Sequence, residues 1–572
     1  MAVHNVDIAD MFDRMAGLLD IEGANPFRVR AYRQAAGTIR DLPESLAAMV
    51  ADGDDLADLP AIGDDLAGKI REIVETGRFR ELEATEKRIP ATLADLTRIP
   101  GIGPKRARKL HEALGIASLD DLASAAKAGK VRELEGFGEA VEAQFLEAIE
   151  AHRSKKPRFR ISIAEDYAKG LEAYLKTARG VSRVIVAGSY RRRRETVGDL
   201  DILATAADGA AVIDHFTRYD EIEDVVSKGS TRSTVRLKSG LQVDLRVVAE
   251  ESYGAALQYF TGSKAHTVAL RKIARAKGLK INEYGIYRGR KRLGGREEED
   301  IYGALSLALV PPELRENRGE IEAARDGHLP ELVTLDDIRG DLHAHTTASD
   351  GTSSLEEMAE AAKAMGYDYL AITDHSQHAT VANGLDEKRL AAQLDEIDRL
   401  NDGIEGIRIL KSCEVDILTD GTLDLPDSIL KRLDLTVCSV HYHFDLASKA
   451  QTERILRAMD NRHFNILGHP TGRLVGEREP YPLDLDRIIE AAKERGCFLE
   501  VNAHPIRLDL DDVHCRAARD LGVKVSIATD AHSTTGLSVM RFGVDQARRG
   551  WLEKADVLNT YPWTKLKKML AR

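Results

Sequence analysis

Three patterns of apolar and polar positions follow one another along this chain. From 1 to 150, apolar residues recur at helical spacing between short glycine-containing turns. Three turns resemble one another: Leu59-Pro60-Ala61-Ile62-Gly63, Ile99-Pro100-Gly101-Ile102-Gly103 and Leu134-Glu135-Gly136-Phe137-Gly138, each preceding a helical stretch. Between 161 and 320, helices mix with alternating strands. Leu241, Val243, Leu245 and Val247 line one strand face and leave Asp244 and Arg246 on the other. Past a junction near Pro330 to Arg339, short apolar runs alternate with helical patterns such as Leu355 to Ala364 and Ile488 to Lys493.

At 572 residues the chain exceeds what one core serves, so about three or four domains are expected. No stretch approaches the roughly 18 apolar residues of a membrane span, and Met1 to Asp20 carries acids where a signal peptide needs an apolar core. Cys413, Cys438, Cys497 and Cys515 form no C-x-x-C pair, which fits a reducing cytoplasm. The net charge of −12 argues against a nucleic-acid partner until it is divided. Residues 1–150 carry 19 basic and 28 acidic side chains, 151–320 carry 32 and 23, and 321–572 carry 31 and 43. The middle segment is therefore +9, a footprint suited to DNA.

That segment also holds the first candidate chemistry. An apolar run, Val184 to Val186, leads into Gly188-Ser189, the arginines Arg191 to Arg194, and a second strand with Asp199 and Asp201. Residues two apart share a strand face, so both carboxylates point one way and Leu200 and Ile202 the other. A carboxylate pair beside a phosphate-sized turn suits two magnesium ions, and Asp244 completes a triad if its strand lies alongside. Ser189 and Arg192 are placed to bind phosphate oxygens. In the N-terminal region, a Gly-x-Gly turn lets backbone amides at a helix start approach a phosphate. The second copy is the best placed, because Lys105, Arg106, Arg108 and Lys109 follow Gly101 and Gly103; Asp64 and Asp65, or Glu139, follow the others. His152 to Arg160 reads as a basic linker.

Eleven of the seventeen histidines lie between His343 and His532. Most stand at the carboxyl end of an apolar run, with carboxylates beside them. Asp341-Leu342-His343-Ala344-His345 comes first, with Asp350 in the next loop. Tyr369 to Thr373 leads to Asp374-His375, Ile407 to Leu410 to Glu414, and Leu435 to Val440 to His441 and His443. Phe464 to Leu467 leads to His469, Phe498 to Val501 to Asn502 and His504, and Val523 to Ile527 to Asp530-Ala531-His532. Functional groups at successive strand ends follow the logic of a β/α barrel, and imidazole mixed with carboxylate suits zinc, manganese or iron.

The middle segment resembles the family X DNA polymerases. Beyond the carboxylates, Tyr259-Phe260-Thr261-Gly262-Ser263 is similar to the family's contact with the incoming sugar and base, and Arg271 to a template-side contact. Asn282 to Gly285, Glu298 to Tyr302 and Pro311 to Leu314 are similar to its thumb. Thr267 stands where polymerase beta-like members carry an asparagine. The resemblance implies a nucleotidyltransferase with Asp199, Asp201 and Asp244 as Mg²⁺ or Mn²⁺ ligands. Gly188, Ser189, Arg192, Gly198, Tyr259, Phe260, Gly262 and Thr267 would contact the dNTP, and Gly101, Gly103, Lys105, Arg106 and Arg271 the DNA. Residues 1–80 resemble the family's lyase domain, with Lys69 where a Schiff-base lysine would stand. Acidic neighbours, with Glu44 and Ser45 at positions expected to be basic, leave an ordinary helix lysine as the alternative.

The C-terminal motifs resemble the PHP (polymerase and histidinol phosphatase) phosphoesterases, which implies about three metal ions, Zn²⁺, Mn²⁺ or Fe. Their ligands would be His343, His345, Asp350, His375, Glu414, His441, His469, Asp530 and His532, with His343, Glu414 and His441 the main catalytic positions. The implied fold is multidomain α and α/β: a helical lyase-like domain (1–80), a helix-hairpin-helix domain (81–152), a palm with a mixed β-sheet (153–265), a thumb (266–320), a linker (321–336) and a distorted (β/α)7 PHP barrel (337–572). The implied function is gap filling in DNA repair by a monomeric, cytoplasmic, nucleoid-associated enzyme acting on gapped or primed duplex. Its barrel would work as 3′–5′ exonuclease, 3′-phosphatase or abasic-site endonuclease. Two alternatives stay open: a polymerase joined to a small-molecule phosphatase, and a gap- or end-binding protein whose barrel is structural.

Overall fold

The computed structural model describes residues 3, 5–42, 44–90, 92–97, 99, 101–154 and 158–571. Pro100 of the second hairpin and Lys155-Lys156-Pro157 of the basic linker lie outside the described residues. The chain forms two compact units, Met1–Pro157 and Arg158–Arg572.

The first unit is helical and has two cores. Ile8, Phe12, Met15, Tyr32, Ile39, Ile70 and Phe79 build one, with the rings of Phe12, Tyr32 and Phe79 packed together. Leu96, Leu110, Leu122, Phe137 and Phe145 build the other. Each glycine turn is followed by a helix as expected: Asp64–Thr76, Pro104–Leu114 and Glu139–Ser154. Gly101 takes φ +88° and Gly136 φ +87°, a left-handed conformation that a side chain resists; Ala61 accepts it at φ +59°.

The second unit opens on a five-stranded mixed sheet in the order Val181–Val186, Asp199–Ala206, Gln242–Val248, Arg232–Leu237, Ile222–Lys228. Asp199–Ala206 and Gln242–Val248 run parallel, which puts Asp201 directly opposite Asp244. Leu200 and Ile202 are buried and hold the carboxylate face outward. The thumb adds a three-stranded antiparallel sheet, Lys280–Asn282, Gly285–Arg288 and Lys291–Gly294, with the helices Lys264–Ala276 and Glu298–Ala304. Residues 321–336, expected as a linker, depart from that expectation. Much of helix Glu320–Asp326 falls here, and Ile321, Ala324 and Leu332 are buried in one cluster with thumb residues and Trp551. Their apolar side chains lose more by exposure than a flexible connection would gain.

The strands from Gly340 onward are parallel and short. Gly340–Ala344, Tyr369–Ile372 and Arg408–Lys411 form one sheet; Glu414–Asp416, Val437–Ser439, Ile466–Leu467, Phe498–Asn502 and Val525–Ala528 form another. A bridge from His375 to Glu414 joins the sheets, and one from Ala344 to Ala531 closes the ring. Counting Arg408 to Asp416 as one interrupted strand gives the expected distorted seven-stranded barrel.

Polar bonds lock this barrel to the palm and thumb. Arg193 pairs with Asp545 at 2.6 Å, Arg473 with Glu195 at 2.7 Å and Arg548 with Glu313 at 2.8 Å. Arg549 donates to the Arg192 carbonyl at 2.7 Å and lies 3.2 Å from Glu316. The arginines of the basic segment are thus spent partly on the fold. Arg191 is bound bidentately by Glu298, and Arg192 meets Glu316 at 3.1 Å.

Candidate active sites

In the palm, a cavity of about 650 Å³ is lined by Gly188, Ser189, Arg192, Gly198, Asp199, Asp201, Tyr259, Phe260, Gly262, Thr267 and Arg271. Every nucleotide-contact position expected from the sequence is on that surface, with Arg158, Arg194 and Lys264 adding positive charge. Gly188, at φ +61°, lies so close to Asp201 that a Cβ would overlap its carboxylate; this is why the turn opens on glycine. Burial, then the charges of Asp199 and Asp244, push the Asp201 pKa up to about 7. Three carboxylates crowded at such cost form a donor set that fits divalent cations.

Four details were not visible in the sequence. Asp244 is outside the cavity lining, and its oxygens accept from Thr234 and from Gln242 Nε2 (2.7 Å). Arg192 keeps one face in the cavity while Nη1 donates to the Thr261 carbonyl at 2.5 Å. The Arg271 guanidinium lies 5.0 Å from the centre of the Tyr259 ring, fixing that ring at the cavity wall. The Thr267 hydroxyl is buried and has no hydrogen-bond partner among the described residues.

The barrel brings all nine expected ligands together at the carboxyl ends of its strands. His345, Asp350, His375 and His532 form one group of donors, His343, His345 and Asp530 a second, and His375, Glu414 and His441 a third. His469 joins them through Nε2, 2.9 Å from Glu414 Oε1. The Nε2 atoms of His343 and His345 are 3.1 Å apart and face Asp530 Oδ1 at 3.4 and 3.1 Å. Ring nitrogens turned on each other around carboxylates fit bound metal ions.

Charge is held here against burial. Desolvation disfavours the charged form of Glu414 and Asp530, but surrounding imidazoles outweigh it and keep both carboxyls well below their usual range. Burial likewise opposes a charge on His441 and His532, yet Glu414 with Asp416, and Asp350 with Asp530, raise them to about 9. Bound cations would take over this role, and the imidazoles would shed their protons to coordinate.

Sequence reasoning missed the carboxylates behind the ligands. Glu500, fully buried, accepts from the His469 amide at 2.6 Å and lies 2.7 Å from His343 Nδ1. Asp416 lies 2.8 Å from His441 Nδ1. Both direct Nε2 inward. An acid inside an otherwise apolar buried strand, as Glu500 is in Phe498–Asn502, was the available signal.

In the first unit, Lys69 is held by three partners: Asp65 Oδ2 at 2.6 Å, Glu81 Oε2 at 2.8 Å and the Tyr32 hydroxyl at 2.9 Å. Burial disfavours its charge, but these partners raise the ammonium pKa above the ordinary lysine value. A Schiff-base nucleophile needs the opposite shift. Borohydride reduction with a 5′-deoxyribose phosphate end is therefore expected to trap no adduct at Lys69; an adduct that disappears in Lys69→Ala would show the amine to be released. In the second hairpin, Arg106 Nη1 donates to the Gly101 carbonyl at 2.7 Å, and Gly101, Gly103, Lys105 and Arg106 are all exposed.

Comparison with known proteins agrees with this layout. Residues 158–256 match the DNA polymerase beta palm, 256–316 the DNA polymerase beta thumb, and 341–504 the PHP domain. Residues 3–79 match a helix-hairpin-helix domain and 93–151 a SAM-like helix-hairpin-helix tandem. Over 562 residues the chain is 40% identical to the DNA polymerase/3′-5′ exonuclease PolX of Bacillus subtilis (strain 168), covering 97% of each. A probable phosphatase of Thermoanaerobacter sp. (strain X514) is 30% identical over 231 residues, 38% of this chain and 89% of that protein.

Proposed function

Taking as premise that this chain belongs to the PHP-containing family X DNA polymerases, and is a DNA polymerase with 3′–5′ exonuclease activity, we propose that it fills short gaps in DNA repair and prepares the 3′ ends that it extends. One observation carries this reading: a cavity lined by every expected nucleotide-contact position and a cluster of the nine expected ligand residues occur within one compact unit. Divalent cations at Asp199, Asp201 and Asp244 would activate the primer hydroxyl and neutralise the triphosphate. Ser189 and Arg192 hold phosphate oxygens, Tyr259 and Phe260 form the wall for sugar and base, and Arg271 keeps Tyr259 in place. Thr267 has one hydroxyl to offer a base, where an amide would reach further.

In the barrel, Zn²⁺, Mn²⁺ or Fe would supply an activated water and a Lewis acid for phosphoester hydrolysis. Glu414 anchors the cluster, while Glu500 and Asp416 set the imidazole tautomers. Similarity to proteins named as probable phosphatases favours phosphomonoester hydrolysis as a second activity of the same site. We assign Lys69 to the fold rather than to lyase chemistry. The exposed second hairpin binds duplex backbone through its amides, Lys105 and Arg106, and the enzyme works as a cytoplasmic monomer.

The test uses end-labelled gapped, abasic and 3′-phosphorylated duplexes, with and without dNTPs, across Mg²⁺, Mn²⁺ and Zn²⁺. Gap filling, shortening from the 3′ end and release of the 3′-phosphate are expected. An enzyme that extended gaps but left every 3′ end untouched would refute the end-preparing role.

A further inference from the structure

Beside the ligand cluster stands a cation that metal binding does not require. Arg507 lies in the loop after Phe498–Asn502, with Nε 3.2 Å from Asp530 Oδ2. That oxygen already accepts from Asn502 Nδ2 at 3.1 Å, so Arg507 is not needed to satisfy it. None of its guanidinium nitrogens makes a hydrogen bond to another described residue, and the side chain is partly open to solvent. Asp530 stands between this guanidinium and the cluster and meets it through Nε, which leaves the terminal nitrogens open to an anion at the rim of the site.

The loop is held in place for this. The Asn502 amide donates to the Asp509 carbonyl at 2.6 Å, and the Arg507 and Leu508 amides both donate to the His504 carbonyl at 2.8 and 3.0 Å. Arg473 Nε donates to the Arg507 carbonyl at 3.0 Å while its Nη2 is anchored by Glu195. A second arginine approaches from the loop after His469. Arg478 Nε donates to the Gly472 carbonyl at 2.9 Å, and its guanidinium lies 4.6 Å from the centre of the Phe444 ring, which stacks on Tyr481. The Val475 amide donates to the Ile506 carbonyl at 2.6 Å, which ties the loop of Arg478 to that of Arg507, and burial, then the Arg507 charge, lower the Arg478 pKa. Two neighbouring guanidinium groups with unused donors are a receptor for phosphate oxygens.

We propose that Arg507 is a substrate-contacting residue of the barrel site, binding the non-bridging oxygens of the phosphate under attack at the DNA 3′ end, with Arg478 as a second contact on the same strand's backbone. The inference rests on the phosphoester-hydrolase reading of the barrel.

Arg507→Ala is expected to lower kcat/KM for 3′-end hydrolysis by roughly 10²-fold, with the metal content of the isolated protein unchanged. Calorimetric titration of the Mn²⁺-loaded protein with thymidine 5′-monophosphate gives a readout other than turnover, His343→Ala supplying the background from the palm. Binding at the barrel should weaken at least about tenfold in Arg507→Ala and less in Arg507→Lys, whose ammonium cannot bind bidentately. Unchanged nucleotide binding in both variants, or loss of metal from Arg507→Ala, would overturn the proposal, the second because the arginine would then act only through Asp530. If Arg507→Ala does not fold, Arg507→Lys alone decides. A wild-type protein that hydrolyses no 3′ end with any metal would instead refute the reading of the site itself.

Discussion

Asp201→Asn should abolish nucleotide addition and leave 3′-end hydrolysis intact. The substitution keeps the shape beneath Gly188 and removes the charge most strongly perturbed by Asp199 and Asp244. An expected fall of at least roughly a thousandfold in extension rate corresponds to about 4 kcal/mol of transition-state stabilisation. His343→Ala is the reciprocal case. It deletes a ring that faces Glu414, Asp530 and Glu500, so 3′-end hydrolysis and bound metal should both fall while extension of a primed duplex persists. Extension and hydrolysis assays on the two variants, with elemental analysis of each protein, make the comparison. A single substitution that removed both activities would contradict two separate sites.

The second large effect is on stability. Glu298 is buried and shared by two arginines: Arg191 binds it through both terminal nitrogens at 2.9 and 2.6 Å, and the fully buried Arg315 at 2.5 Å. Glu298→Ala would strand one charge on the palm and one in the thumb, and removing one partner of a buried pair costs about 3–5 kcal/mol. Both tryptophans, Trp551 and Trp563, lie in the second unit, so urea denaturation followed by tryptophan fluorescence reports that unit alone. The midpoint should drop sharply for Glu298→Ala and less for Glu298→Gln, which retains an acceptor. Equal midpoints would mean that water reaches the two guanidinium groups.

Local periodicity explains what the sequence revealed. Alternation along Asp199–Ala206 is set by the pleat, so the shared face of Asp199 and Asp201 could be read without knowing how the chain folds, whereas Asp244 joins them only because its strand pairs alongside. The expected barrel ligands were legible for a related reason, most of them sitting where an apolar run ends. What stayed hidden depends on partners far along the chain. Four consecutive arginines look alike in sequence, yet Arg191 serves Glu298, Arg193 serves Asp545, and Arg192 divides itself between Glu316 and the cavity. Glu500 and Asp416 are adjacent to the ligands only in space. Residues 321–336 read as a connection because Trp551, which shares their buried cluster, is more than two hundred residues away.

The bond from Arg549 to the Arg192 carbonyl has a consequence for inheritance. The turn that bears the expected nucleotide contacts is braced from behind by the PHP domain, through Arg549, Arg473 and Asp545. A lineage cannot exchange one catalytic domain for a foreign copy while keeping these partners, because each graft would leave a guanidinium or carboxylate facing a stranger. Substitutions at 192–195 and at 473, 545 and 549 should therefore travel together among relatives, and chimeras should work only when both sides of the seam come from one parent.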